Sequence, residues 1–86
     1  MATNHWVRSS YDGSLCLDLD HMLELEVKYD RDHPHQWFRW TAESGGRYLA
    51  RREAQKRYPD EERAQAAAER WARRTLRRAL HLLGEA

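Results

Sequence analysis

Two sets of charged residues are spaced as if each could act together. Asp18, Asp20, Glu24 and Glu26 fall at even positions of one alternating stretch. Arg70, Arg73, Arg74, Arg77 and Arg78 crowd a second stretch with no acid among them. A carboxylate row can meet a basic surface. An arginine row can meet phosphate, because guanidinium binds it bidentately and its charge releases counterions. Neither set carries the marks of a catalytic centre. There is no nucleophile–base motif, glycine-rich phosphate loop or metal-ligand pattern. His5, His21, His33, His35 and His81 are scattered, and Cys16 is the single cysteine. A zinc site needs three or four ligands at motif spacing, usually with cysteines. The chain therefore reads as a binding protein and not an enzyme, with no metal and no cofactor.

Each set also has a plainer reading. The carboxylates would repel one another across a sheet by a few tenths of a kcal/mol or more. A row of cations from neighbouring strands, such as Arg8, Arg39, Arg51 or Arg52, could offset that. The arginines could be a solvated helix face whose cations favour the C-terminal end of the dipole. Trp37 and Trp40 are candidate aromatic anchors for a partner. Burial under a loop accounts for them as well. Cys16 has no cationic neighbour in sequence to lower its pKa, so it reads as a half-buried strand residue.

These residues must be held by something. The chain has 86 residues, 41% hydrophobic and 34% charged. That is one small domain, burying only about 60% of its unfolded surface. No apolar run approaches the roughly 20 residues of a membrane span. The first eleven residues lack the apolar core of a signal peptide. With one cysteine and no possible intrachain disulfide, a cytoplasmic home is expected. The net charge of +1 hides an asymmetry: residues 1–38 carry −4 and residues 39–86 carry +5. Such a split implies a bipolar surface, or two halves that neutralise each other in the fold.

The elements follow from periodicity. Residues 5–11 read as a first strand, anchored by Trp6 and Val7, before an Asp12-Gly13-Ser14 turn. From Leu15 to Tyr29 the odd positions are mostly apolar and the even ones mostly charged. That is strand alternation, too long for one strand, so it predicts a hairpin turning near Asp20 to Met22. A turn of three or five residues keeps the odd residues of both arms on one face. Residues 36–43 predict another strand, and Ser44-Gly45-Gly46 a turn. Residues 47–58 favour a fifth strand, with a short helix as the alternative. Residues 60–83 predict a helix about 36 Å long, with Pro59 in its first turn and Gly84 as its stop. Its apolar stripe is Ala64, Ala68, Trp71, Ala72, Thr75, Leu76, Ala79, Leu82 and Leu83. The expected fold is α+β: an antiparallel sheet of four or five strands with one long C-terminal helix packed on one face.

Part of the chain resembles a known family. The pieces are Tyr11-Asp12-Gly13, Leu15-Cys16-Leu17, Val27-Lys28-Tyr29 with Arg31-Asp32 and Pro34, and Trp37-Phe38-Arg39-Trp40. In order and approximate spacing they are similar to the type II-C anti-CRISPR proteins, which inhibit an RNA-guided nuclease by capping its HNH domain. The resemblance covers about residues 11–40. The family's nuclease-contacting residues lie in a C-terminal strand segment with a serine–cysteine pair. This chain ends in the arginine-rich helix instead, so no contact residue carries over. What the resemblance implies is a small phage or mobile-element protein that binds and blocks a CRISPR-associated nuclease complex in the bacterial cytoplasm.

Three expectations result. The first is an inhibitor that binds a bacterial CRISPR effector protein stoichiometrically. The second is a nucleic-acid-binding module that uses the helix arginines. The third is a homo-oligomer that pairs acidic and basic faces, so the chain is either a monomer or a homodimer. No membrane association is expected.

Overall fold

A computed structural model describes residues 5–30, 37–52 and 56–84. Five antiparallel strands form one sheet in the order β1-β2-β3-β4-β5. They are β1 Val7–Arg8, β2 Leu15–Leu19, β3 Leu23–Asp30, β4 Trp37–Ser44 and β5 Arg47–Leu49. One helix, α1 Glu61–Leu82, follows and lies on β4 and β3.

The alternating stretch folds as its period demands. Leu15 pairs with Val27, Leu17 with Leu25 and Leu19 with Leu23. A three-residue turn, Asp20-His21-Met22, joins the arms and keeps the odd residues on one face. Asp20 and His21 take φ +56 and +61, the left-handed conformation that lets a tight turn follow the twist of its strands. Asp18 holds this turn. Its Oδ1 accepts the His21 backbone N–H at 2.7 Å, and its Oδ2 lies 3.0 Å from His21 Nδ1.

The leucine face is covered by the first half of the helix. Asp60 is the N-cap, and its Oδ1 accepts the Arg63 N–H at 2.7 Å. Pro59 precedes that cap, so it stands outside the helix rather than in its first turn. Ala64, Ala67, Ala68, Trp71 and Ala72 are buried against Leu15, Leu17, Leu23, Leu25, Val27, Trp40 and Ala42. Four alanines let the helix backbone come close, and Trp71 fills the remaining volume. Its ring centroid lies 5.7 Å from that of Trp40.

Three further ties fix the direction of the helix. Tyr58, just before the cap, pairs with Phe38 in a two-bond bridge. Arg8 holds Glu61 at 3.0 Å, and Trp6 Nε1 donates to Glu69 Oε1 at 2.9 Å. Arg8 is level with Leu15, and Trp6 lies further towards Leu19. The helix therefore advances towards the end of the sheet that carries the β2–β3 and β4–β5 turns.

There it leaves the sheet. Every residue from Arg73 to Gly84 is exposed. Thr75, Leu76, Ala79, Leu82 and Leu83 were expected in the packed stripe, but Leu82 and Leu83 are 75% and 76% exposed. The reason is length. Residues 61–72 span about 17 Å at 1.5 Å per residue. The strands beneath them are only five to eight residues long. The last three turns have nothing to cover, and the molecule measures 47 × 27 × 23 Å. Gly84, at φ +82, donates to His81 O and ends the helix.

The outer strands are shorter than expected. β1 is two residues long and its Val7 is exposed, whereas Trp6 packs against the core. β5 stops at Leu49 because Ala50 turns left-handed at φ +53. Residues 47–58 thus begin as the fifth strand and do not continue it; Ala54 lies outside the described residues.

Trp71→Ala should lower unfolding free energy by about 3–5 kcal/mol. Leu82→Ala, on the exposed half of the same helix, should change it by less than about 0.5 kcal/mol. Denaturant melts of the two variants would show the contrast. Equal losses would mean that the last turns of the helix are packed in solution.

Candidate functional site

The helix packs on the first face of the sheet, and no element among the described residues covers the second. The strand register sets its side chains in rows. Nearest the two turns stand Asp18, Glu24, Glu43 and Tyr48. The next row is Val7, Cys16, Glu26 and Thr41. Lys28 and Arg39 form a third, and Trp37 stands beyond them. Same-face rows are about 7 Å apart.

The first row is a run of three carboxylates on adjacent strands. Among the described residues, Glu24 and Glu43 have no ion pair, and Asp18 meets only His21. The anticipated cations do not reach them. Arg8 is committed to Glu61 and to the carbonyl of Gly13. Arg39 stands beside Lys28, while Arg51 and Arg52 lie in the exposed turn after β5. Asp20 was expected on this face and sits instead in the hairpin turn. Glu43 was not anticipated. Its place in the row depends on the β3–β4 register, which alternation within one strand does not give.

Glu26 belongs to a different group. Its Oε1 lies 3.3 Å from Lys28 Nζ, and its Oε2 accepts from Ser14 Oγ at 3.4 Å and from Cys16 Sγ at 3.6 Å. Ser14 is buried, and its Oγ also reaches Asp12 Oδ1 at 2.7 Å. The electrostatics follow from these contacts. Hydrogen bonds from the Ser14 side chain and backbone hold the Asp12 carboxyl below its ordinary value. The negative charge of Glu26 raises Lys28. Burial raises the Cys16 thiol, and the neighbouring Glu26 adds to that. A thiol raised in this way is a poor nucleophile. The group is a local network at the β1–β2 turn, and it removes Glu26 from the free acidic row.

The helix arginines are arranged differently. Arg70, Arg74 and Arg77 share one face, Arg73 and Arg78 flank it, and His81 continues it. A shallow depression is lined by Arg74, Arg77, Arg78 and His81. Arg73 lies 3.8 Å from Glu69. Among the described residues Arg70, Arg74, Arg77 and Arg78 have no carboxylate partner.

The aromatic candidates separate. Trp40 is 1% exposed and belongs to the core, so it cannot anchor a partner. Trp37 is half-buried on the open face and Tyr48 is exposed there. His33 and His35 lie outside the described residues, and no cluster of metal-ligating side chains occurs among those described. No helix among the described residues is long and apolar enough to cross a membrane. The chain matches no protein-family model, no curated protein and no solved structure.

Because burial and Glu26 both disfavour the thiolate, Cys16 should react with an alkylating reagent at pH 8 more slowly than cysteine in a short peptide. Glu26→Gln should speed the reaction by removing the nearby charge. Peptide-like rates in the unsubstituted protein would show that the thiol is open.

Proposed function

We propose that the protein acts by stoichiometric binding and blocks a bacterial CRISPR-associated nuclease complex. The observation that carries this reading is the row Asp18, Glu24 and Glu43, for which no ion pair with a lysine or arginine occurs among the described residues. Surfaces that handle nucleic acid are basic, and an unpaired acidic row complements them. The segment that resembles nuclease inhibitors supplies two of the row's three carboxylates, through β2 and β3. The absence of any catalytic motif in the sequence fits a protein that works by occupying a surface. The family's own contact segment has no counterpart here, so the target surface need not be the HNH domain.

The test uses purified protein and purified CRISPR effector complexes, with co-elution and target-DNA cleavage as readouts. A stable complex should form, and cleavage should stop near equimolar inhibitor. Glu24→Lys combined with Glu43→Lys should weaken both by about tenfold or more, since like charges across an interface cost several kcal/mol. No complex with any effector sinks the reading. A complex that ignores both substitutions places the contact on another face.

A second reading rests on the free arginines of α1, which could follow a phosphate backbone. It predicts that affinity for duplex DNA falls steeply with salt. Arg77→Ala should weaken binding to all sequences alike and reduce the salt slope by about one. Binding that is absent, or indifferent to salt, removes it.

A further inference from the structure

The buried positions of α1 follow one line along the helix, Ala64, Ala68 and Trp71. The same spacing continues through Thr75, Arg78 and Leu82, which therefore face the same side where no sheet lies below. Arg74 flanks this line. The exposed half is about 15 Å long. It carries four arginines and no acid between Arg73 and Gly84. Two such halves cannot pair with each other, because cation would meet cation. An occupant that pairs with Arg74 and Arg78 must be acidic.

The chain carries such a surface at the same end. The row Asp18, Glu24 and Glu43 lies beside the hairpin turns past which the helix projects, but on the opposite face of the sheet. The sheet itself keeps the two apart within one molecule. A two-fold axis through the turn end removes that separation. With a second copy turned over end to end, each projecting helix passes across the open face of the other sheet. Arg78 and Arg74 come over the carboxylate row, and Leu82 comes near Tyr48, which ends the row and is 56% exposed. Both copies make the same contact, so the arrangement closes at two.

We infer that the chain forms a reciprocal two-fold dimer in which the exposed half of α1 lies on the acidic row of a second copy. This does not rest on the nuclease reading and is tested on the chain alone. The two contacts exclude each other, because the dimer covers the row offered to the nuclease.

Light scattering on the purified chain should give twice its 10.3 kDa at low salt, falling towards the single mass as salt screens the contact. An arm variant, Arg74→Glu with Arg78→Glu, should be monomeric. A row variant, Glu24→Arg with Glu43→Arg, should be monomeric too. Arg74, Arg78 and Glu24 are exposed and Glu43 is half-buried, so circular dichroism should show both variants folded. The decisive step is to mix them. In the mixed pair, glutamate arm meets arginine row and arginine arm meets acidic row, so both contacts are complementary again. A heterodimer should form where neither variant self-associates. Three results overturn the inference: an unsubstituted chain that stays monomeric at low salt, a dimer indifferent to both pairs of substitutions, and a mixture that stays monomeric.

Discussion

The contact between Trp40 and Trp71 holds the two layers of this protein in one place. A meander of five strands makes a leucine face, and only the first half of one helix covers it. Four of that helix's five buried residues are alanines. They permit close approach and supply little apolar area, so most of the burial on the helix side falls to Trp71. Trp40 answers it from the middle of β4. Its indole N–H finds no acceptor among the described residues, a cost of about 1–3 kcal/mol. The ring is retained there because its volume joins β3, β4 and the helix. Where this aromatic pair sits also decides where the helix becomes free, since burial ends one residue after Trp71.

The elements whose signals are local were legible in the sequence. The β2–β3 hairpin follows from a period of two, and the need to keep both sets of leucines on one side limits its turn to three or five residues, of which the fold uses three. The helix stop follows from Gly84, and its start is legible in the acidic run from Asp60, although Pro59 lies outside the first turn. What could not be read was the extent of contact between elements. An amphipathic stripe tells which side of a helix is apolar, not how far the opposing sheet reaches. Thr75, Leu76, Ala79, Leu82 and Leu83 continue the stripe in sequence and stand beyond the sheet in space. Trp6 and Val7 differ for a related reason. A strand of two residues has no period, so nothing local shows that Trp6 turns inward while Val7 faces solvent.

The candidate site was legible in the same partial way. Asp18 and Glu24 were placed together correctly because one hairpin carries both. Asp20 was displaced by one step of the turn. Glu26 was on the right face, but its partners Ser14, Cys16 and Lys28 come from a turn, from β2 and from its own strand. Glu43 required the pairing of β3 with β4 across a connection of irregular sequence. Trp40 and Trp37 are an instructive pair, because both look like anchors in sequence. Strand alternation assigns them to the same side only if they are an even number of residues apart. Their spacing of three sends one into the core and the other to the open face.

The charge asymmetry of the chain takes its meaning from this architecture. Opposite halves of a sequence can cancel if the fold brings them into contact. Here the pairs that form do not cancel one half against the other: Arg8 takes Glu61, a cation of the acidic half and an acid of the basic half, and Glu26 takes Lys28 within the acidic half. The remainder cannot cancel internally. The free carboxylates lie on one face of the sheet, and the free arginines lie on a helix that packs against the other and then runs past its edge. Opposite charges on two sides of a two-layer fold are held apart by the layer between them, and a monomer has no rearrangement short of undocking the helix that would unite them. They are therefore a property of the surface and of association, not of the fold. Whatever partner meets this protein meets two poles on opposite faces at the same end of the sheet, and it can satisfy both only by reaching around that end.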